Sequence, residues 1–199
     1  MHQSEKNNIF FYGDHMDNIF SQRQSLYAFS GESISQETLE ILFDAARWAP
    51  SSFNNQPTRF IYAHRDTAAW QKLFDLMVPF NQSWAQYTAV LIVVVSKNTS
   101  GPQNTFFPTH SFEAGAAWMS LALQATMLGL VTHGMSGFNY EKARADLAVP
   151  EGFTVEMMCA IGKQAMQGAD PSFVERDAKP RTRKAINEIA VEGSFLFTE

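Results

Sequence analysis

Residues 112–130 read Phe112-Glu113-Ala114-Gly115-Ala116-Ala117-Trp118-Met119-Ser120-Leu121-Ala122-Leu123-Gln124-Ala125-Thr126-Met127-Leu128-Gly129-Leu130. The run carries a single charge, Glu113, and is otherwise nearly apolar all the way round, with the small residues Gly115, Ala116 and Ala117 side by side. A helix that is apolar on every face has to be buried on every face. In a chain of 199 residues, the pattern predicts a central helix pressed against its own sheet on one side and against another subunit on the other.

Working outward, residues 89–95 are almost purely aliphatic and rich in Val, which predicts a central strand covered on both faces. Upstream, Ser35 reads as an N-cap with Glu37 in the first turn. Leu39, Leu42, Phe43 and Ala46 follow at helical spacing, and Pro50 sets the limit. Further helices are expected over 16–24, 68–77 and 140–147, and strands over 59–63 and 153–161. Residues 96–109 and 168–180 read as loops. Strands separated by helices give an α+β class. No repeat, low-complexity tract or linker divides the chain, so residues 1–199 are expected to form one domain. An N-terminal arm (about 1–15) and an extended or partly helical C-terminal arm (about 181–199) would flank it.

Composition bounds the function. Charged residues make up 18%, against roughly 25% in an ordinary soluble domain, while Phe alone occurs 17 times. So little charge leaves apolar surface to be covered by a second copy. The balance of 15 Lys+Arg against 20 Asp+Glu, a formal net charge of −5, argues against a sequence-blind nucleic-acid binder. The only cysteine, Cys159, permits no intrachain disulfide and no multi-cysteine metal site. The five histidines are scattered without ligand spacing, so no metal is expected. With no signal-peptide pattern at the N-terminus and no aliphatic run near a membrane span, a soluble cytoplasmic protein is expected.

Five polar segments lie against these apolar elements. Arg23 and Ser25 are spaced to reach one phosphate together, and read equally as an ordinary solvated helix end. In Ala49-Pro50-Ser51-Ser52-Phe53-Asn54-Asn55-Gln56-Pro57, two prolines bracket hydroxyls and amides suited to the edge of a heteroaromatic ring. Asn81-Gln82-Ser83-Trp84 precedes the aliphatic strand. His133-Gly134-Met135-Ser136-Gly137-Phe138 follows the central helix, and its glycines allow backbone to approach a flat ligand. Lys179-Pro180-Arg181-Thr182-Arg183-Lys184 is a cationic cluster in an acidic chain, readable as a solvated tail or as a phosphate site. No Gly-x-Ser-x-Gly turn marks a hydrolase, and no Gly-x-Gly-x-x-Gly follows a strand.

The order Arg-x-Ser, Ala-Pro-Ser-Ser-x-Asn-x-Gln-Pro, Asn-Gln-x-Trp, Gly-Leu-x-x-x-x-Met-x-Gly-Phe and a late Arg-x-Arg resembles the nitroreductase family of FMN-dependent oxidoreductases, over Arg23 to about Phe195. The resemblance implies a three-layer fold with a mostly antiparallel sheet, flanked by helices, and a central helix at a homodimer interface. It implies non-covalent FMN and NADH or NADPH as electron donor. The acceptor would be a small molecule, such as a nitroaromatic, a quinone or an enone, reduced in ping-pong turnover with no catalytic side chain.

By position, Arg23, Gln24 and Ser25 would meet the phosphate or ribityl chain, with Arg181 and Arg183 completing the phosphate site. Pro50, Ser51, Ser52 and Asn54 would come from across the dimer. Asn81, with Trp84 in the same segment, would face the pyrimidine edge. Gly134, Met135, Ser136 and Gly137 would lie beside the ring, a backbone N–H facing N5. Three departures stand out. Tyr27, within the cofactor segment, replaces a frequent Arg or Lys; Thr58 replaces a common Trp; Ser136 replaces a Glu seen in some members. A more specialised flavin dehydrogenase, or a flavin sensor or store without turnover, would share these features.

Overall fold

The computed structural model describes residues 18–165 and 169–197; the expected N-terminal arm and the first two residues of the expected 16–24 helix lie outside them. The central strand is β2 (Val90–Lys97), preceded in the chain by β1 (Thr58–His64) and followed by β5 (Val131–Met135) and β6 (Phe153–Gly162). They form one sheet in the order β1-β2-β6-β5 with every pairing antiparallel. β3 (Thr99–Ser100) and β4 (Thr105–Phe106) make a separate small hairpin within the stretch expected to be loop.

The period-two alternation of β2 builds two cores. Val90, Ile92 and Val94 face α2 (Gln36–Arg47) and α5 (His110–Met127), where Leu39, Leu42, Ala114, Ala117, Leu121 and Ala125 pack on them. Leu91, Val93 and Val95 face the opposite layer with Leu73, Trp84 and Ala143, from α3 (Ala68–Phe74), α4 (Pro79–Ala85) and α6 (Tyr140–Asp146). Helices on both faces of an antiparallel sheet give the expected three-layer α+β architecture. The remaining helices are α1 (Asn18–Gln22) and α7 (Pro171–Asp177).

Local chemistry sets the ends of these elements. The Ser35 hydroxyl caps α2 by accepting the Thr38 N–H at 3.1 Å. At the other end of α5, Gly129 adopts φ 71°. Its N–H bonds the Thr126 carbonyl at 3.0 Å and the Leu130 N–H bonds that of Ala125 at 2.8 Å. This Schellman turn hands the chain directly to β5.

Three elements depart from the sequence pattern. β5 occupies part of the glycine-bearing segment: Thr132 and His133 are buried polar residues, so the strand lacks apolar alternation. α4 forms where a polar segment was expected, because Pro79 at its first turn presets the helical φ while Asn81, Trp84 and Ala85 turn inward. α7 replaces the expected 168–180 loop, started by Asp170, which accepts the Ser172 N–H, and by Pro171 at the first turn. Over its described residues 181–197 the C-terminal arm has one short 3-10 turn at Ile186–Glu188 and a bend around Gly193.

Leu121 is fully buried between α5 and the sheet. Leu121→Ala is predicted to lower unfolding stability by about 2–5 kcal/mol, read as a lower urea midpoint with an unchanged m-value.

Candidate functional site

The segment after α1, the middle of α5 and β6 and the C-terminal end of β5 enclose a cavity of about 540 Å³ lined by Arg23, Ser25, Trp118, Met119, Gly134, Met135, Ser136 and Met157. Side chains pack close on Gly134: a Cβ there would sit 2.6 Å from Met157 Cε, the mobile end of that side chain, and 3.2 Å from the Trp118 ring. Trp118, Met157 and the backbone at Gly134 thus form one packed wall of the cavity. At its rim the N–H groups of Ser136 and Gly137 donate to nothing among the described residues.

Cations collect at the other end. The half-buried Arg23 guanidinium donates to Ser25 Oγ at 3.3 Å. Its pKa is lowered by burial and by the neighbouring charges of Arg181 and Arg183. Arg181 ties the C-terminal segment down by donating to the carbonyls of Arg23, at 2.8 Å, and Ser21. Among the described residues no carboxylate forms an ion pair with any of the three arginines. Like charges held together without a counter-charge make an anion site.

Below the rim, Asn81 is buried and its Nδ2 donates to the Gly137 carbonyl at 2.9 Å. A Cβ on Gly137 would meet that nitrogen at 2.7 Å. Among the described residues nothing donates to Asn81 Oδ1, which stays available as an acceptor.

Other expected residues lie elsewhere. Trp84 has no exposed surface and belongs to the core, so it does not reach the cavity. Tyr27 turns away as well: Arg176 lies 4.4 Å over its ring, Phe173 stacks on it, and the Asp177 carboxylate accepts its N–H. Both large rings fill apolar space. Gln24 lines a smaller, separate cavity with Leu26 and Asp177. Arg183 is exposed beside Arg23.

Pro50 and Ser51 line a second cavity, of about 500 Å³, bounded by α2, β1 and the Glu113–Ala117 side of α5. Ser52 and Asn54 form the short 3-10 turn at its edge, with Phe53 almost fully exposed at 97%. Phe53, Asn54 and Gln56 all adopt positive φ, at 51°, 55° and 47°. That conformation costs about 1–2 kcal/mol for a side-chain-bearing residue, less for Asn. Helix α5 thus separates two groups of expected site residues, and within one chain they do not meet.

Trp118, Met119 and Met157 were not singled out by sequence, because an aromatic or Met on a buried helix or strand reads as core. The other unanticipated cluster starts from a β-bulge. Val94 pairs with Met157 and Val95 with Val155, which leaves Glu156 unpaired. Its carboxylate accepts from the hydroxyls of Ser96 and Ser111 and lies 3.3 Å from His110 Nδ1. Among the described residues no group of three or more His, Cys, Asp or Glu is arranged to hold a metal, and no helix is long and apolar enough to cross a membrane.

A model of the nitroreductase family matches residues 20–83 and 67–163, and the chain belongs to that family. It is similar to a crystal structure described as an oxidoreductase containing FMN, with 37% identity over 99% of this chain and 97% of that one and a TM-score of 0.86. A protein from Desulfovibrio desulfuricans, provisionally named a nitroreductase and solved in complex with FMN, shares the fold. It is 23% identical, with a TM-score of 0.69, over 89% of this chain and 96% of that one. A Rhodopseudomonas palustris protein carrying the provisional name NADH dehydrogenase/NAD(P)H nitroreductase is 26% identical over 74% of this chain and 84% of its own length.

His133 supports the cavity from behind. Its Nδ1–H donates to the Leu26 carbonyl at 2.8 Å, and burial holds its pKa below the ordinary 6.5. The unfolded chain therefore binds this proton more readily, so the stabilising contribution is present above pH 6.5 and is lost as pH falls toward the lower folded-state value. Urea midpoints should fall more steeply across that window in the parent protein than in His133→Phe. Equal slopes would assign the acid sensitivity to other groups.

Proposed function

We propose that this protein is an FMN-dependent NAD(P)H oxidoreductase whose whole chain acts as one flavin-binding unit and works as a homodimer. The observation that carries this reading is the gathering of Arg181 and Arg183 near Arg23, with no carboxylate ion-paired to them among the described residues, where Arg23 lines a cavity of about 540 Å³. The rim offers two free backbone N–H groups and, below it, the Asn81 oxygen. A phosphate-bearing, planar heteroaromatic ligand with acceptors and an N–H on its ring edge fits that donor set, and FMN has this form. The FMN-containing neighbour at 37% identity supports the same choice.

When bound, FMN supplies hydride chemistry between NADH or NADPH and a nitroaromatic, quinone or enone-type acceptor, in alternating half-reactions. The chain's own residues bind and orient. Arg23 and Arg183 would hold the phosphate, and Ser25 would meet the adjoining chain. The Ser136 and Gly137 N–H groups and Asn81 Oδ1 would hold the ring edge, and Trp118 and Met157 would back the site and exclude water. Fixed N–H dipoles aimed at a ring edge stabilise developing negative charge without reorganisation. No side chain has to transfer a proton.

Pro50, Ser51, Ser52 and Asn54 complete the site from a second copy. The exposed apolar residues Phe112, Met119 and Met127 of α5, with Trp48 and Phe53, support that dimer as the surface it would cover. A reducing, cytoplasmic setting is in keeping with the single buried thiol, Cys159.

Purified protein should bind FMN more tightly than riboflavin. Arg23→Ala or Arg183→Ala should lower FMN affinity by about 1.5–3 kcal/mol and leave riboflavin affinity unchanged. Anaerobic bleaching of the yellow complex by NADH or NADPH separates an enzyme from a flavin store. Equal affinity of the parent protein for FMN and riboflavin would contradict the phosphate assignment.

A further inference from the structure

Glu113 has no part in the reading above. It is the only charge on α5, it is 94% buried by its 6% relative exposure, and its two carboxylate oxygens are treated unequally. Oε1 accepts the Ser52 backbone N–H at 2.9 Å and the Thr109 hydroxyl at 2.8 Å. Oε2 is buried with no partner among the described residues. Burying a carboxylate that is half unsatisfied is costly, and an apolar side chain would fill the same place on an apolar helix. The Ser52 N–H is the contact that distinguishes a carboxylate from such a filler.

That contact sits on the strained turn. Ser52 opens the stretch in which Phe53, Asn54 and Gln56 hold positive φ. Such backbone persists only where surrounding bonds over-determine it. Among the described residues three bonds reach this stretch from outside: the Ser52 N–H donates to Glu113, Ser100 Oγ donates to Asn55 Oδ1 at 3.2 Å, and the Arg59 guanidinium donates to the Gln56 carbonyl at 2.8 Å. The second ends on an exposed side chain, and the third comes from an exposed side chain of β1. Among the described residues Glu113 alone ties the loop backbone to a helix of the core.

We propose that Glu113 is a positioning residue: by accepting the Ser52 N–H it locks the strained 51–56 turn in the one conformation that presents Ser52 and Asn54 outward to the flavin of a second copy. The proposal rests on the dimeric FMN reading and adds to it a residue that acts on the site without touching the ligand. The acceptor oxygen and its reach are what matter, because Thr109 and Ser52 are both neutral donors.

Three variants separate these requirements. Glu113→Gln keeps an acceptor at the same reach, Glu113→Leu removes it, and Glu113→Asp keeps the charge but withdraws it by one methylene, which serves if the Leu variant does not fold. Two readouts are used: amide exchange of the 51–56 backbone in the apoprotein, and FMN affinity by fluorescence titration. Glu113→Leu and Glu113→Asp should lose about tenfold or more of the Ser52 amide protection while melting cooperatively. They should bind FMN about ten- to hundredfold more weakly, with Glu113→Gln within about threefold of the parent. Unchanged loop protection in Glu113→Leu or Glu113→Asp would overturn the proposal, as would equal losses of protection in the Gln and Leu variants. If the parent protein does not bind FMN, the function reading fails, and the exchange arm alone decides whether Glu113 holds the loop.

Discussion

Helix α5 imposes the constraint on which the rest depends. Its Ala114, Ala117, Leu121 and Ala125 side is spent on the sheet and α2, yet its other side carries Phe112, Met119 and Met127 into solvent in a single chain. An 18-residue helix apolar on both sides cannot satisfy both with one sheet. The two cavities that hold the expected site residues lie along the two flanks of this helix, Trp118 and Met119 walling one, Glu113 and Ala117 the other. Covering the open face with a second copy would bury the stripe and bring a loop of one chain toward the cavity of the other. One packing requirement then serves stability and site assembly together.

Electrostatics at the Arg23 cavity favour an anion there. Arg23 is half-buried among like charges, and both burial and its neighbours disfavour its charged form. His133 behind it is held neutral by burial, so it adds no positive charge at neutral pH. An anion at this point relieves repulsion that the fold otherwise carries. The C-terminal segment is pinned there by Arg181 through two backbone carbonyls, and among the described residues no carboxylate forms an ion pair with Arg23, Arg181 or Arg183.

The architecture was largely legible in the sequence because its main elements advertise themselves. The aliphatic run of β2, the capped amphipathic α2 and the apolar α5 lie within a few residues of their expected bounds. What escaped was written in weaker signals. β5 hides behind Thr132, His133 and Gly134, whose burial is decided by tertiary bonds rather than by alternation. α4 and α7 each begin at a proline, which reads as loop unless its first-turn role is weighed. For the site, the Arg23–Ser25 and Gly134–Ser136 segments do converge on one cavity. Tyr27 and Trp84 do not, since an apolar ring next to a polar motif goes to the core when the core is nearer. Glu113 stood out only as a lone charge, because its partner Ser52 is distant in sequence and the bond uses backbone.

The central claim is that each site is shared between two copies, and mixing variants tests it most directly. Arg23→Ala impairs the cavity half and Asn54→Ala the loop half, so each homodimer should bind FMN poorly. Unfolding and refolding the two together should produce mixed dimers in which one site has both halves intact, and FMN binding at parental affinity should reappear in that fraction. A mixture that binds no better than the average of its two components would contradict the shared site and place all binding determinants within one chain.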